Sequence, residues 1–178
     1  MSMSPRLRKI VLTAHVTFSV GWLGAVVCFV ALAIAGLIGK DPQVVQAAYL
    51  AMELTTWYVI LPLALASLLT GIVESLGTEW GLFRHYWILA KVLINILSSL
   101  LLLVHMQLVS HLAQVVAETS MSASDLRALQ VQLVAYAVAA LLVLVLATAL
   151  AVYKPKGVTP YGWRKQREER LARTETGL

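Results

Sequence analysis

The sequence contains unusually few charged residues. Of its 178 residues, only 13% are charged and 60% are hydrophobic, whereas a soluble domain carries about 25% charged residues. The chain therefore has too few polar side chains to cover the surface of a water-soluble domain of this length. Intrinsic disorder is excluded as well, because disordered chains are poor in apolar residues. The composition predicts that most of the protein lies in lipid.

Cysteine is almost missing too. The single cysteine, Cys28, excludes an internal disulfide and a cysteine-rich metal site. The sequence also lacks the alternating segments of about ten residues that are typical of transmembrane barrels, so helices are the spanning structure to expect. It has no HExxH motif and no carboxylate–histidine cluster with recognised ligand spacing. These absences argue against a metallohydrolase.

Four apolar stretches are long enough to cross a bilayer, which requires about 20 residues. They cover residues 10–38, 56–73, 86–109 and 131–152. The sequence thus predicts an all-α fold, an integral membrane four-helix bundle that occupies residues 1–153. We expect residues 154–178 to form a basic tail that is flexible or lies on the membrane surface.

The loops carry helix-start signals. Asp41 followed by Pro42 is typical of a cap and first helical residue, so the second helix is expected to begin in water, before it enters lipid. Between the third and fourth spans we predict a loop over residues 110–128. Within it, the last helix is expected to start near Ser124.

The few positive charges predict the orientation of the chain. Eleven of the 14 Lys and Arg residues fall on one side of the predicted bundle: Arg6, Arg8, Lys9, Arg84, Lys154, Lys156, Arg164, Lys165, Arg167, Arg170 and Arg173. The other two loops hold only Lys40 and Arg127. Because cytoplasmic loops are enriched in Lys and Arg, both termini are predicted to be cytoplasmic, in a plasma or inner membrane. The net charge of +5 is then explained by topology and anionic head groups, with no need for a nucleic-acid partner.

Polar residues inside the spans form stripes. On the third helix, steps of four and three residues place five positions on one face: Lys91, Asn95, Ser98, Leu102 and His105. A polar stripe must face the bundle, because lipid cannot satisfy it. The same spacing on the first helix groups His15, Ser19, Trp22 and Val26. On the second helix it groups Glu53, Trp57, Ile60, Ala64, Ser67, Gly71 and Glu74.

The stripes predict two polar layers at different depths. With a rise of about 1.5 Å per residue, His15 and Lys91 both lie about 9–10 Å from the inner edge, on the side where Glu74 ends the second helix. His105 lies about 21 Å further out, level with Glu53. Two histidines so far apart cannot ligate one iron from opposite sides.

The chemistry that these layers favour is haem binding. A buried neutral imidazole among small and aromatic residues suits axial ligation of haem iron, so His15 and His105 are the candidate metal ligands. Lys91 is a candidate partner for a haem propionate or a second ligand. Trp22 and Asn95 complete the candidate cofactor-binding set. The alternatives are an interhelical hydrogen bond for each histidine and, for Lys91, a side chain that reaches the inner interface.

Several short motifs resemble the CopD-like superfamily of four-helix membrane proteins. The first helix carries Leu12-Thr13-Ala14-His15 and Gly21-Trp22-Leu23-Gly24. The second carries Pro62, Ser67 and Thr70-Gly71, and Trp80-Gly81-Leu82 follows in the loop. The third carries Trp87, Lys91-Val92-Leu93 and His105. The resemblance covers about residues 10–106.

The superfamily includes HemJ-type protoporphyrinogen oxidases, copper-resistance D proteins and four-span proteins of unknown function. The resemblance implies a bundle that holds b-type haem, with His15 and Lys91 as the functionally required polar pair. HemJ-type proteins usually carry an Arg and a further His just after the first helix. In this sequence that region reads Leu37-Ile38-Gly39-Lys40 and has neither.

Three functions remain open on the sequence. The first is a haem b protein of electron transfer or of haem- or porphyrin-linked redox chemistry, which includes a haem-dependent membrane oxidoreductase. The second is a transport component for copper or another small solute, because thioether and imidazole groups suit copper and Met52, Glu53, His105 and Met106 lie near the outer face. The third is a non-catalytic partner subunit, whose Gly21/Gly24 and Ala-rich surfaces pack against another protein or a second copy.

Overall fold

A computed structural model describes residues 3–77, 82–118, 123–153, 155 and 157–175. The described chain is helical throughout its long segments, and an isolated antiparallel bridge between His85 and Val158 is its only β-type pairing. This confirms the all-α prediction. The helices are α1 (Pro5–Ile38), α2 (Pro42–Thr55), α3 (Leu61–Gly77), α4 (Tyr86–Glu118), α5 (Ala123–Tyr153) and α6 (Pro160–Glu175). Trp80, Gly81, Lys154 and Lys156, used above for the resemblance and the orientation, lie outside the described residues.

Four helical segments in the described chain are long and apolar enough to cross a membrane, as predicted. They contain 34, 36, 29 and 30 residues: Pro5–Ile38, Pro42–Gly77, Tyr86–Gln114 and Ser124–Tyr153. At a rise of 1.5 Å per residue they are about 43–54 Å long, whereas the hydrocarbon core is about 30 Å thick. The protein is therefore a multi-pass membrane protein whose helices extend beyond the lipid.

A corner of three residues joins α1 to α2. The backbone N–H of Gly39 donates to the carbonyl of Ala35 at 2.9 Å, which ends α1. The Asp41 carboxylate then accepts from the backbone N–H of Gln43 at 2.9 Å, so the predicted cap at Asp41 is present. One turn before the corner, a Cβ on Gly36 would lie 2.7 Å from the Tyr49 ring. Only glycine lets α2 pack this closely against α1.

A π-helical turn, Thr56–Ile60, joins α2 to α3 without a break. A π turn holds one residue more than an α turn, so the inward face shifts by one position. Thr56 is 2% exposed, whereas Trp57 is 50% exposed. The prediction that Trp57 shares the inward stripe of the second helix is therefore wrong. Beyond the turn, Ala64 and Ser67 are buried as the spacing predicts.

The predicted loop over residues 110–128 is mostly helix, because α4 continues to Glu118 and α5 begins at Ala123. The extension is stabilised by packing outside the predicted span. Leu112 is fully buried and joins Tyr49 and Met52 of α2 in the hydrophobic core. Ser110 Oγ also donates to Glu53 Oε1 at 2.7 Å. The helices α2 and α4 thus pack together beyond the predicted spans.

The basic tail contains a helix, α6, that is anchored to the loop before α4. Thr159 Oγ1 donates to the carbonyl of Phe83 at 2.5 Å and accepts from the backbone N–H of Gly162 at 3.1 Å. The backbone N–H of Thr159 donates to the carbonyl of Arg84 at 3.0 Å. We call these contacts the Thr159 clamp. Since Met3 N–H also bonds the carbonyl of Gly77, both terminal regions lie at the same end of the bundle.

Candidate functional site

His15 holds α1 against α3. Its side chain is 9% exposed, and Nδ1 lies 3.1 Å from the carbonyl oxygen of Ser67 and 3.2 Å from Thr70 Oγ1. Because a carbonyl can only accept, Nδ1 carries the proton and Nε2 carries the lone pair in the neutral ring. One turn along, Ser19 and Ser67 share a hydrogen bond of 2.8 Å between their hydroxyl groups. The first-helix polar stripe is therefore an interhelical contact.

Gly71 makes room for the His15 ring. A Cβ built on Gly71 would lie 2.9 Å from His15 Cε1 and 3.4 Å from Nδ1. Side-chain carbons do not approach a ring this closely, so any larger residue displaces the imidazole. The Thr70-Gly71 pair that carries part of the resemblance thus has a packing explanation. The hydroxyl binds the ring, and the glycine admits it.

The inner polar layer contains three ionisable residues from three helices. His15 on α1, Glu74 on α3 and Lys91 on α4 are carried by helices that pack together, α1 on α3 and α3 on α4. The equal depth of these positions stays a prediction from the sequence. The opposite signs of Lys91 and Glu74 balance the layer, which limits the electrostatic cost of holding it inside a membrane protein.

Asn95 lies one turn beyond Lys91 on the same face of α4. Its side-chain Oδ1 is buried and has no hydrogen-bond partner among the described residues. Its backbone carbonyl accepts from Ser99 Oγ at 2.9 Å. A buried amide oxygen without a donor is costly, by about 1–3 kcal/mol. Asn95 is thus the polar group that the described bundle leaves unsatisfied in the third-helix stripe.

The outer layer opens into an apolar cavity between α1, the π turn, α4 and α5, which we call the His105 cavity. Its enclosed volume is about 160 Å³. This is smaller than the range of about 300–1,000 Å³ that small-molecule sites occupy, so a larger ligand must extend through the open mouth. Small side chains on α5 leave the space, and larger ones line it. The lining includes Trp22, Phe29, Ile60, Met106, Tyr136, Ala137 and Ala140.

His105 is the ionisable residue in that lining. Its Nδ1 donates to the carbonyl of Leu101 at 2.7 Å, and its ring contacts Tyr136 edge-on with centroids 4.3 Å apart. The Tyr136 hydroxyl accepts in turn from Gln132 Nε2 at 2.7 Å. Because a carbonyl can only accept, Nδ1 carries the proton of the neutral ring. Nε2 is therefore the ring nitrogen left for a ligand. A backbone carbonyl on one ring nitrogen and a metal on the other is the usual arrangement of ligating histidines.

The two layers differ in how well they suit a haem. His15 and Lys91 provide a ligand and a cation, but the ring is enclosed by α3 and neither residue lines the His105 cavity. His105 and Trp22 do line it. The lining has no Lys or Arg, so it suits the apolar ring and iron of a haem but not its propionates. The five candidate residues thus fall into two groups. Trp22 and His105 line the cavity, whereas His15, Lys91 and Asn95 do not.

The outer methionine and carboxylate residues give no metal cluster. In the chain as described, no group of three or more His, Cys, Asp or Glu side chains could hold a metal ion. Met52 is fully buried in the core, and the Glu53 carboxylate already accepts from Ser110. The loose grouping of Met52, Glu53, His105 and Met106 therefore gains no support as a copper site.

Sequence reasoning missed Tyr136 as a cavity residue and missed the cavity itself. Tyr136 lies on α5, for which the sequence predicts an Ala-rich packing surface. The one sequence feature that could have indicated its role is the spacing of four residues from Gln132, which allows a hydrogen bond along a helix. The cavity depends on how three helices pack together. No single helix predicts it.

Comparison with known proteins gives no relative on which to rest a function. No family model matches the chain, and neither a curated protein nor a solved structure matches it. The likeness to the CopD-like superfamily stays a prediction from short motifs. The geometry of the two polar layers and the cavity is therefore the basis for the function considered next.

Proposed function

We propose that this integral membrane protein binds a flat, lipid-soluble tetrapyrrole in the His105 cavity, with b-type haem as the leading candidate. The observation that carries the proposal is the hydrogen bond from His105 Nδ1 to the carbonyl of Leu101 at 2.7 Å. It leaves Nε2 as the free ring nitrogen of a histidine that lines an open apolar cavity with an enclosed volume of about 160 Å³. A fixed tautomer and an apolar surrounding are what an axial haem ligand requires.

Four lining residues and the nearby Gln132 have a definite part in this proposal. His105 ligates, while Tyr136 holds the imidazole ring edge-on and Gln132 holds the Tyr136 hydroxyl. Trp22 and Phe29 supply aromatic surface for a planar ring. A bound haem supplies reversible one-electron transfer. Electron transfer, or redox chemistry on a haem or porphyrin, is accordingly the activity we propose.

The inner layer is the second candidate position for the haem. Its support is the packing of α3 against both α1 and α4, the helices that carry His15 and Lys91, together with the resemblance, which implies that His15 and Lys91 are the required pair. We favour the outer position because His105 lines a cavity, whereas the His15 ring lies against α3, with Nδ1 in contact with both Ser67 and Thr70. In our proposal, His15 is a positioning residue that sets how α1 packs on α3.

Absorbance spectra of purified variants test the proposal. After expression with ample haem supply, the wild-type protein should show a Soret band that shifts on reduction with dithionite. His105→Ala should lose this band. His111→Ala, a matched change at an exposed position on the same helix, should keep it. His15→Ala should also keep most of it.

Other results contradict the proposal in distinct ways. A wild-type protein without haem would reject haem binding altogether. If His15→Ala or Lys91→Ala abolished the band while His105→Ala kept it, the haem would lie in the inner layer and the assignment to the His105 cavity would be wrong.

A further inference from the structure

The helix of the tail carries two faces of different charge. In a helix, positions i, i+3, i+4 and i+7 share one face, which here places Trp163, Gln166, Arg167 and Arg170 together, with Arg164 at its edge. These five residues line one open groove. We call this surface the arginine face. It holds three arginines, one aromatic ring and no carboxylate.

On the opposite face of α6, two of the described side chains form an ion pair. Lys165 Nζ lies 3.6 Å from Glu168 Oε2, and neither position belongs to the arginine face. The three arginines of the arginine face therefore lie apart from the ion pair of Lys165 and Glu168. This separation leaves one face of α6 with an excess of positive charge.

The Thr159 clamp fixes where the arginine face lies. It bonds the start of α6 to the carbonyls of Phe83 and Arg84, in the connection between the membrane-spanning helices α3 and α4. A Cβ on Gly162 would clash with the Arg84 carbonyl oxygen, so the first turn of α6 touches this connection directly. The helix therefore begins at the end of the bundle where α3 is joined to α4.

We propose that the arginine face binds the phosphate groups of anionic lipids at the membrane surface. Three guanidinium groups within about 10 Å along the helix match phosphate oxygens in charge and geometry. Trp163 is 62% exposed, and tryptophan is enriched at the membrane–water interface. This site is independent of the cavity and of any haem bound there.

Native mass spectrometry of the full-length protein in detergent measures the binding of lipids directly. Phosphatidylglycerol and phosphatidylcholine are titrated onto the wild-type protein, which should bind the anionic lipid more tightly. Arg167→Gln should weaken the binding of phosphatidylglycerol about fivefold, and the triple variant R164Q/R167Q/R170Q up to about a hundredfold. Binding of phosphatidylcholine should not change.

Lys165→Gln is the matched control, since it removes the same charge two residues away on the opposite face. It should leave the binding of phosphatidylglycerol unchanged. An equal loss in Lys165→Gln would mean that net charge alone attracts lipid, and an unchanged preference in the triple variant would mean that the lipid binds elsewhere. Either result overturns the proposal.

Two further arms separate lipid from other anions. Millimolar inorganic phosphate should not displace phosphatidylglycerol, because the interface residue Trp163 also contributes to lipid binding. Complete displacement would identify free phosphate as the ligand instead. If the triple variant lost affinity for a single-stranded RNA but kept its lipid preference, the occupant would be nucleic acid and the proposal would fail.

Discussion

At the scale of single residues, the contact between His15 and Gly71 explains why two short motifs occur together. In the sequence, His15 and Gly71 fall on the polar stripes of the first and second predicted helices. The stripes do not predict the contact between them, because that contact depends on how far apart the two helices pack. In the structure the helices pack closely, because Gly71 has no Cβ to collide with the His15 ring.

Gly71→Ala should destabilise the protein. The new Cβ would lie 2.9 Å from His15 Cε1, so the ring must shift and its bond to Ser67 must lengthen. Overpacking of this kind costs about 1–3 kcal/mol. The midpoint of thermal unfolding in detergent should fall by about 2–4 °C for each kcal/mol.

Gly24→Ala provides the comparison, since nothing lies within 4 Å of a Cβ at that position. It should be neutral or stabilising, because alanine favours helix over glycine by up to about 1 kcal/mol. In a His15→Ala background, Gly71→Ala should lose most of its cost. A full cost in that background would show that the ring is not what Gly71 accommodates. A destabilising Gly24→Ala would instead point to a partner on that surface.

At the scale of helices, apolar length predicts the number of spans, and local packing decides where they end. The four apolar stretches are unmistakable in the sequence, since each is a predominantly apolar run of at least 18 residues. The extension of α4 to Glu118 is not, because residues such as His111 and Gln114 carry no apolar signal. They are helical because Leu112 packs against α2. The π turn cannot be predicted either, because the sequence of Thr56–Ile60 contains no feature that indicates an extra residue in the turn.

The Thr159 clamp gives a prediction about α6. Thr159→Val removes the hydroxyl that donates to Phe83 and accepts from Gly162, which should weaken docking of the helix by about 1–2 kcal/mol. Trypsin should then cleave α6 at its arginines roughly 5–30 times faster. Amide exchange at Gly162 should accelerate as well.

Thr174→Val is the control for this change. The Thr174 hydroxyl bonds only within its own helix, to the carbonyl of Arg170 at 3.0 Å, so the rate of cleavage should stay near the wild-type value. If both variants were cleaved equally fast, the loss of a threonine hydroxyl anywhere in α6 would explain the effect, and the clamp would not be the anchor.

At the scale of the whole molecule, the scarcity of charge predicts a membrane protein, and the placement of the remaining charge predicts its orientation. The structure places both terminal regions at one end, as four spans require. The side of the membrane on which they lie stays a prediction from the positive charges. The cavity belongs to this scale too, since it exists only where α1, α4 and α5 fail to fill the space between them.

Labelling of single cysteines in intact cells tests the orientation. In a Cys28→Ser background, Thr174→Cys should be protected from a membrane-impermeant maleimide, and Gln46→Cys should react. Both positions are exposed, so protection reports the side of the membrane. Permeabilised cells, in which both cysteines should react, provide the control. The reverse pattern would place the termini outside the cell.

The Thr159 clamp also has a consequence for the order of biosynthesis. Thr159 bonds a carbonyl that lies 76 residues earlier in the chain. At about 5–20 residues per second, the ribosome completes the clamp some 4–15 s after it has made the loop. Throughout that interval Thr159 is not yet available to the carbonyls of Phe83 and Arg84. Docking of α6 is thus a late assembly step, reached only after α4 and α5 have been synthesised.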